Sequence, residues 1–308
     1  MSRRVVSLGL AVLLLHCSSA SAGPDACPAA DAAFDAILRD SSARNGVHGS
    51  QAAVLIPGRH AWHGVYGRNG VQDPMRSDLM IGTGSISKMY TVVAALRLVD
   101  QGVIALDDTL GRWFPNASNV NPSIPLRLVM QQTSGLADYS AAPNYSATIL
   151  ADPDRYWQPD ELLAFIGPPL FAPGTGWNAS NTNRLLLGII VARESGVSVG
   201  TFMQRELWPG HTQSWVAGDG PAPGPLATQW ASNAAGVLYD FSALYFGPAL
   251  FSSRIEVQAS AGDIADFAQR TFAGTLLAPG TRAEMLRIVP DDGGIAGQTR
   301  QGTRHPAV

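Results

Sequence analysis

Between Ser85 and Gln101 the apolar residues Ile86, Met89, Val93, Leu96 and Val99 recur every three or four positions, the spacing of one helix face, and Gly102 supplies a C-terminal stop. The same periodicity, less sustained, places Phe34, Ile37 and Leu38 on a helix that ends at Asn45-Gly46. Further helices are expected over about 124–132, 159–166, 183–195, 199–207, 262–273 and 280–289. The stretch "QAAVLIPGRHAWHGVYG" instead reads as two short strands turning at Pro57-Gly58, an antiparallel hairpin. "AGDGPAPGPLATQ" is a Gly/Pro/Ala loop, and no internal repeat occurs. Strands at the start, helices in the middle and a mixed end predict an α/β fold, an antiparallel sheet flanked by helices, with a helical lobe inserted over roughly 100–235.

The N-terminus changes this picture by removing itself. Arg3 and Arg4, an apolar run from Val5 to Leu15 and the small residues Ala20-Ser21-Ala22 have the form of an export signal cleaved near Ala22. His16 rather than a small residue precedes Cys17, which disfavours a lipoprotein. The expected product is a single domain over 23–308, periplasmic or secreted. No later run approaches the roughly 18 apolar residues of a spanning helix, so no stable membrane insertion is expected. Cys27 alone survives cleavage, which leaves no intrachain disulfide. With 21 basic and 24 acidic side chains the chain has a formal charge of −3, and nucleic acid is not an expected partner.

Candidate chemistry centres on Lys88, the only lysine in the sequence. Ser85 precedes it by three residues, so the two share a helix face at the helix start. The positive end of a helix dipole is a poor place for a structural cation. It suits an amine that sheds its proton and acts as base on a neighbouring hydroxyl, which an arginine cannot do. Two other motifs fail on context. Ser87 and Met89 stand where a phosphate-binding loop needs glycine and Ser/Thr, and the G-x-S-x-G at 196–200 follows a helical run, making Gly196 a helix stop and Ser198 an N-cap.

Three stretches then resemble a known family: "GTGSISKMYTVVAALRLVDQGVIALDDTLGRWFP", "LRLVMQQTSGLADYS" and "FAPGTGWNASNTNRLLLGIIV". They are similar, in order, to the nucleophile helix, the LL-x-H-T-S-G-L-x-D-Y segment and the F-x-P-G-x-x-W-x-Y-S-N-T-N-Y-x-L-L-G segment of serine β-lactamases and D-alanyl-D-alanine carboxypeptidases, the penicillin-binding proteins, in their class C-like branch. The resemblance implies a β-lactamase/transpeptidase-like fold and acyl transfer on D-Ala-D-Ala peptides, β-lactams or small esters. It implies Ser85 as the acylated nucleophile, its backbone N–H as half of an oxyanion hole, Lys88 as proton carrier, and Asn181 with Ser180 as substrate contacts, with no metal and no organic cofactor.

Two departures qualify it. Ala179 stands where the family carries a tyrosine, leaving Lys88 to work alone, with water, or with another phenol such as Tyr139 or Tyr145. The tail after Val289 lacks the third motif, H-x-G or K-T-G, and His305 is followed by proline; His211-Thr212-Gln213 comes too early and reads as a turn. Truncated or frame-altered C-terminal strands are the expectation there. These departures favour the alternative of a catalytically impaired member that binds cell-wall peptide or a partner. His60 and His63 fall on opposite faces of their strand, against a metal site. Trp157 and Trp177 are assigned to core or rim packing, and the N-x-S patterns at Asn116, Asn144 and Asn178 to chance.

Overall fold

The protein is described from a computed structural model covering residues 28–56, 61–211, 213–233 and 235–287. The export signal, Cys27, the Pro57-Gly58 turn, His60, Thr212 and the tail carrying His305 lie outside the described residues. By contact the chain divides into two compact units between Ser77 and Asp78.

In the first unit, helix α1 (Pro28–Arg44) precedes strands β1 (Gly49–Val54) and β2 (Trp62–Gly67), which pair antiparallel with Ala52 opposite Gly64 and Val54 opposite Trp62. Buried and exposed positions alternate along β2, as the two-residue period of a half-buried strand requires. Trp62 turns its ring towards Phe34 on α1, centroids 5.3 Å apart, and its indole N–H donates to Asp35 Oδ1 at 3.2 Å.

The second unit is built on two helices. The helix read from the sequence is α2 (Ser87–Asp100), which packs on α5 (Asn181–Ser195); Tyr90, Val93, Ala94, Leu96 and Leu98 are buried, whereas of the expected stripe Ile86 is exposed ahead of the helix and Met89 and Val99 are half-buried. Every residue of α5 from Thr182 to Val191 is buried. From Leu185 to Val191 the helix is apolar on all sides, and such a segment belongs in the middle of a core rather than on its surface. Gly196 closes α5 with φ +70°, and the Ser198 side chain accepts from the Thr201 N–H to start α6 (Val199–Glu206), as the sequence predicts.

Beyond these helices lies a small antiparallel sheet of order β3-β7-β4: β3 (Ile81–Gly82), β7 (Val257–Ala259) and β4 (Ser214–Val216). Ile81 pairs with Ala259, and Trp215 with Gln258. A second hairpin joins β5 (Trp230–Ser232) to β6 (Leu238–Asp240). From β7 the chain enters helix α9 (Ala261–Ala273), where Phe267 stacks on Tyr90 at 3.9 Å between centroids.

Two expected helices are revised. The one at 124–132 shrinks to α3 (Leu126–Met130), between Pro125 in extended conformation and Gln132 at φ +62°. The segment expected at 159–166 is a 3-10 helix, Pro159–Phe165, started by a reciprocal cap between Gln158 and Glu161. Among the described residues no single helix is long and apolar enough to cross a membrane.

Candidate active site

Strand β3 delivers the chain to a 3-10 turn, Gly84–Ile86, that runs directly into α2, so Ser85 sits on the turn and Lys88 on the first turn of the helix proper. Two buried hydroxyls clamp this turn to β7. Thr83 Oγ1 donates to the Val257 carbonyl at 2.8 Å, which spends its only proton. Ser87 Oγ therefore donates to Thr83 Oγ1 (2.8 Å) while accepting the Val257 N–H at 3.0 Å. On the next residue along, the Gly84 N–H donates to Glu256 Oε1 at 3.1 Å, and that carboxylate, only 5% exposed, faces Arg254 at 3.4 Å. Ser85 is held between these ties with its own side chain open to solvent.

Lys88 Nζ lies 3.2 Å from Ser85 Oγ and donates to Asn181 Oδ1 at 2.8 Å. The orientation of the Asn181 amide follows from its other end. Its Nδ2 donates to Asp138 Oδ2 and to Ser140 Oγ, both at 3.0 Å, so the carbonyl oxygen must face the lysine. Asp138 is itself fixed: its Oδ1 accepts the Ser140 N–H at 2.9 Å and the Ser140 hydroxyl at 2.8 Å, an Asx-type turn. Burial lowers the Lys88 pKa below its ordinary 10.5, because the charged amine loses hydration; the Arg184 guanidinium pushes the same way and the Asp138 carboxylate opposes.

The structure thus brings Ser85, Lys88 and Asn181 together. Ser180 has another duty than the substrate contact expected of it: it is fully buried and caps α5, accepting the Thr182 N–H at 3.2 Å. Ala179 is exposed beside it. Neither alternative phenol reaches the lysine. Tyr139 Oη and Tyr145 Oη both donate to the Ser253 carbonyl, at 2.7 and 3.3 Å, and burial raises both pKa values, so these tyrosines are structural. Trp157 is core, whereas Trp177 is 54% exposed. Asp138, Ser140, Thr83, Ser87 and Glu256 escaped the sequence reading. The D-x-S spacing of an Asx turn was the one local signal, and it said nothing of Asn181.

The molecule has relatives of several activities. Penicillin-binding protein 4* of Bacillus subtilis (strain 168) is 28% identical over 138 residues, 44% of this chain and 30% of that protein. Esterase EstB of Burkholderia gladioli is 31% identical over 183 residues, 54% and 45% respectively. The chain spans less than half the length of the curated relatives it matches. Among solved structures, D-amino acid amidase from Ochrobactrum anthropi SV3, complexed with L-phenylalanine, superposes with a TM-score of 0.69 at 26% identity, covering 82% of this chain and 72% of the other. The mixed α/β architecture, helices with antiparallel sheets, is the β-lactamase/transpeptidase-like fold of these neighbours. The family model described as Beta-lactamase matches residues 34–306, nearly the whole sequence, and the chain belongs to that family.

Proposed function

We propose that this protein is an exported serine hydrolase that transfers an acyl group from a small ester, β-lactam or D-amino-acid-containing amide first to Ser85 and then to water. The observation that carries the reading is the 3.2 Å approach of Lys88 Nζ to Ser85 Oγ, with the amine held by Asn181. A neutral Lys88 takes the Ser85 proton as Oγ bonds to the substrate carbonyl carbon. The tetrahedral oxyanion collapses, the bond to the leaving amine or alcohol breaks, and the Lys88 ammonium returns its proton to that group. Water then attacks the acyl-enzyme by the same route, releasing the acid and free Ser85. Relatives named for penicillin binding, ester cleavage and D-amino acid amides support the breadth of acyl donors.

Intact-mass measurement after brief exposure to benzylpenicillin tests this. One penicilloyl adduct is expected on the wild type and none on Ser85→Ala, circular dichroism reporting that both are folded. A folded wild type that neither gains mass nor consumes penicillin or an activated ester would instead identify a non-catalytic member that retains the fold, the reading Ala179 favours.

A further inference from the structure

Gly84, immediately before the nucleophile, has φ +52°, and among the described residues nothing lies within 4 Å of the place a Cβ would occupy. Packing therefore does not dictate this left-handed conformation, and glycine adopts a right-handed one about as readily. What selects it is the hydrogen bond from the Gly84 N–H to Glu256 Oε1, at 3.1 Å. The acceptor is a buried carboxylate whose Oε2 faces Arg254 Nη1 at 3.4 Å. Arg254 is anchored in turn: its Nε donates to the Leu250 carbonyl at 2.9 Å, and its guanidinium lies 4.5 Å over the Tyr245 ring. Tyr245 Oη fills the space that a side chain at Gly82 would need. A buried ion pair costs about as much in lost hydration as it returns, so stability alone does not account for one here. A carboxylate does hold an N–H more firmly than a neutral oxygen would. The next N–H along, that of Ser85, has no acceptor among the described residues. It is free to donate to the oxyanion that forms on the substrate carbonyl. The peptide plane carrying it turns with the Gly84 backbone dihedrals, so the conformation of Gly84 decides where it points.

We propose that Glu256 is a positioning residue of the reaction: its hydrogen bond holds Gly84 left-handed and so aims the Ser85 N–H at the developing oxyanion, while Arg254 keeps the carboxylate in place. The proposal rests on the acyl-transfer reading. An interaction made only as the oxyanion forms raises the maximal acylation rate and leaves substrate affinity unchanged. Glu256→Gln tests it because the amide has one oxygen for two donors. The Arg254 cation takes that oxygen, which turns the amide N–H groups towards the Gly84 N–H and breaks the tie. In Glu256→Gln/Arg254→Met the competing cation is gone, and the oxygen returns to Gly84.

Acylation by p-nitrophenyl acetate is measured by stopped flow, with the Ser85→Ala rate subtracted and circular dichroism reporting folding. In Glu256→Gln the maximal rate is expected to fall about tenfold with the apparent dissociation constant of the ester unchanged, and in the double variant to return to within about threefold of wild type. A merely structural role would make the double variant, which has lost both members of the ion pair, the slower of the two, and that result overturns the proposal. So does a folded Glu256→Gln enzyme that acylates at the wild-type rate. Gly84→Ala serves if the Glu256 variants do not fold: its methyl meets no neighbour but disfavours positive φ. The same loss of maximal rate is expected there, and wild-type kinetics overturn the proposal. Deuterium exchange of the Gly84 amide, read by nuclear magnetic resonance, should quicken in Glu256→Gln and slow again in the double variant; unchanged exchange overturns the proposal without any turnover. A wild type that neither gains an acyl group nor consumes the ester sinks the acyl-transfer reading instead, a result the exchange measurement does not share.

Discussion

The Asn181 amide would present either end to Lys88 with equal steric ease; Asp138 and Ser140 decide which, by taking both amide protons. Removing the carboxylate in Asp138→Ala frees the amide to rotate and also removes the group that opposes loss of the Lys88 proton. Two effects of opposite direction follow. kcat/KM is expected to fall about tenfold, roughly 1.4 kcal/mol of transition-state stabilisation, while the acid limb of the rate profile moves to lower pH because the amine is now more easily deprotonated. Initial rates on an activated ester across pH check both; a tenfold loss with an unmoved limb would mean that Asp138 acts through geometry alone. Ser85 and Lys88 were legible at this scale because their pairing is three residues long and obeys helix periodicity. Asp138 was not, since its partner lies 43 residues further along, and nothing local distinguishes an Asx turn that orients an active-site amide from one that closes a loop.

At the level of elements, the nucleophile turn depends on a strand that meets it from 170 residues away. Ser87 makes two buried side-chain hydrogen bonds, to Thr83 and to the Val257 N–H. Ser87→Ala leaves that N–H without its partner, while the Thr83 hydroxyl keeps its bond to the Val257 carbonyl, a loss of about 1–3 kcal/mol for a buried polar group left unsatisfied. Each kcal/mol lowers the melting temperature of a chain this size by about 2–4 °C, which calorimetry would read. Acylation should slow as well, since Ser85 hangs between this clamp and the Gly84–Glu256 contact; an unchanged Tm would show that water replaces the hydroxyl. The long periodic segments, α2, α5, α6 and α9, agree with their sequence spacing because each carries a sustained apolar pattern. Strands of two or three residues such as β3, β4 and β7 carry no period at all, and only their pairing across the chain makes them strands. The Pro159–Phe165 segment shows the converse, a helical pattern that the chain satisfies with the tighter 3-10 form.

On the scale of the molecule, motif order carried further than composition: three short stretches, widely separated, suffice to place the chain in its family, whereas the inward direction of each side chain is set by contacts no window of sequence contains. Helix α5 has a consequence of another kind. Its residues 182–191 are buried without interruption, with Asn181 at one end and Arg184 inside. Backbone amides so enclosed exchange with deuterium only when the surrounding core opens as a whole. The slowest-exchanging peptide in mass-spectrometric exchange is therefore expected to be the one containing 183–191, with a urea dependence matching that of global unfolding. Fast exchange there, insensitive to denaturant, would show that the helix frays on its own. Where an enzyme carries its base-orienting groups on a mobile loop, activity fades before the fold does; here the two should disappear together, so that residual activity after heating counts the molecules that are still folded.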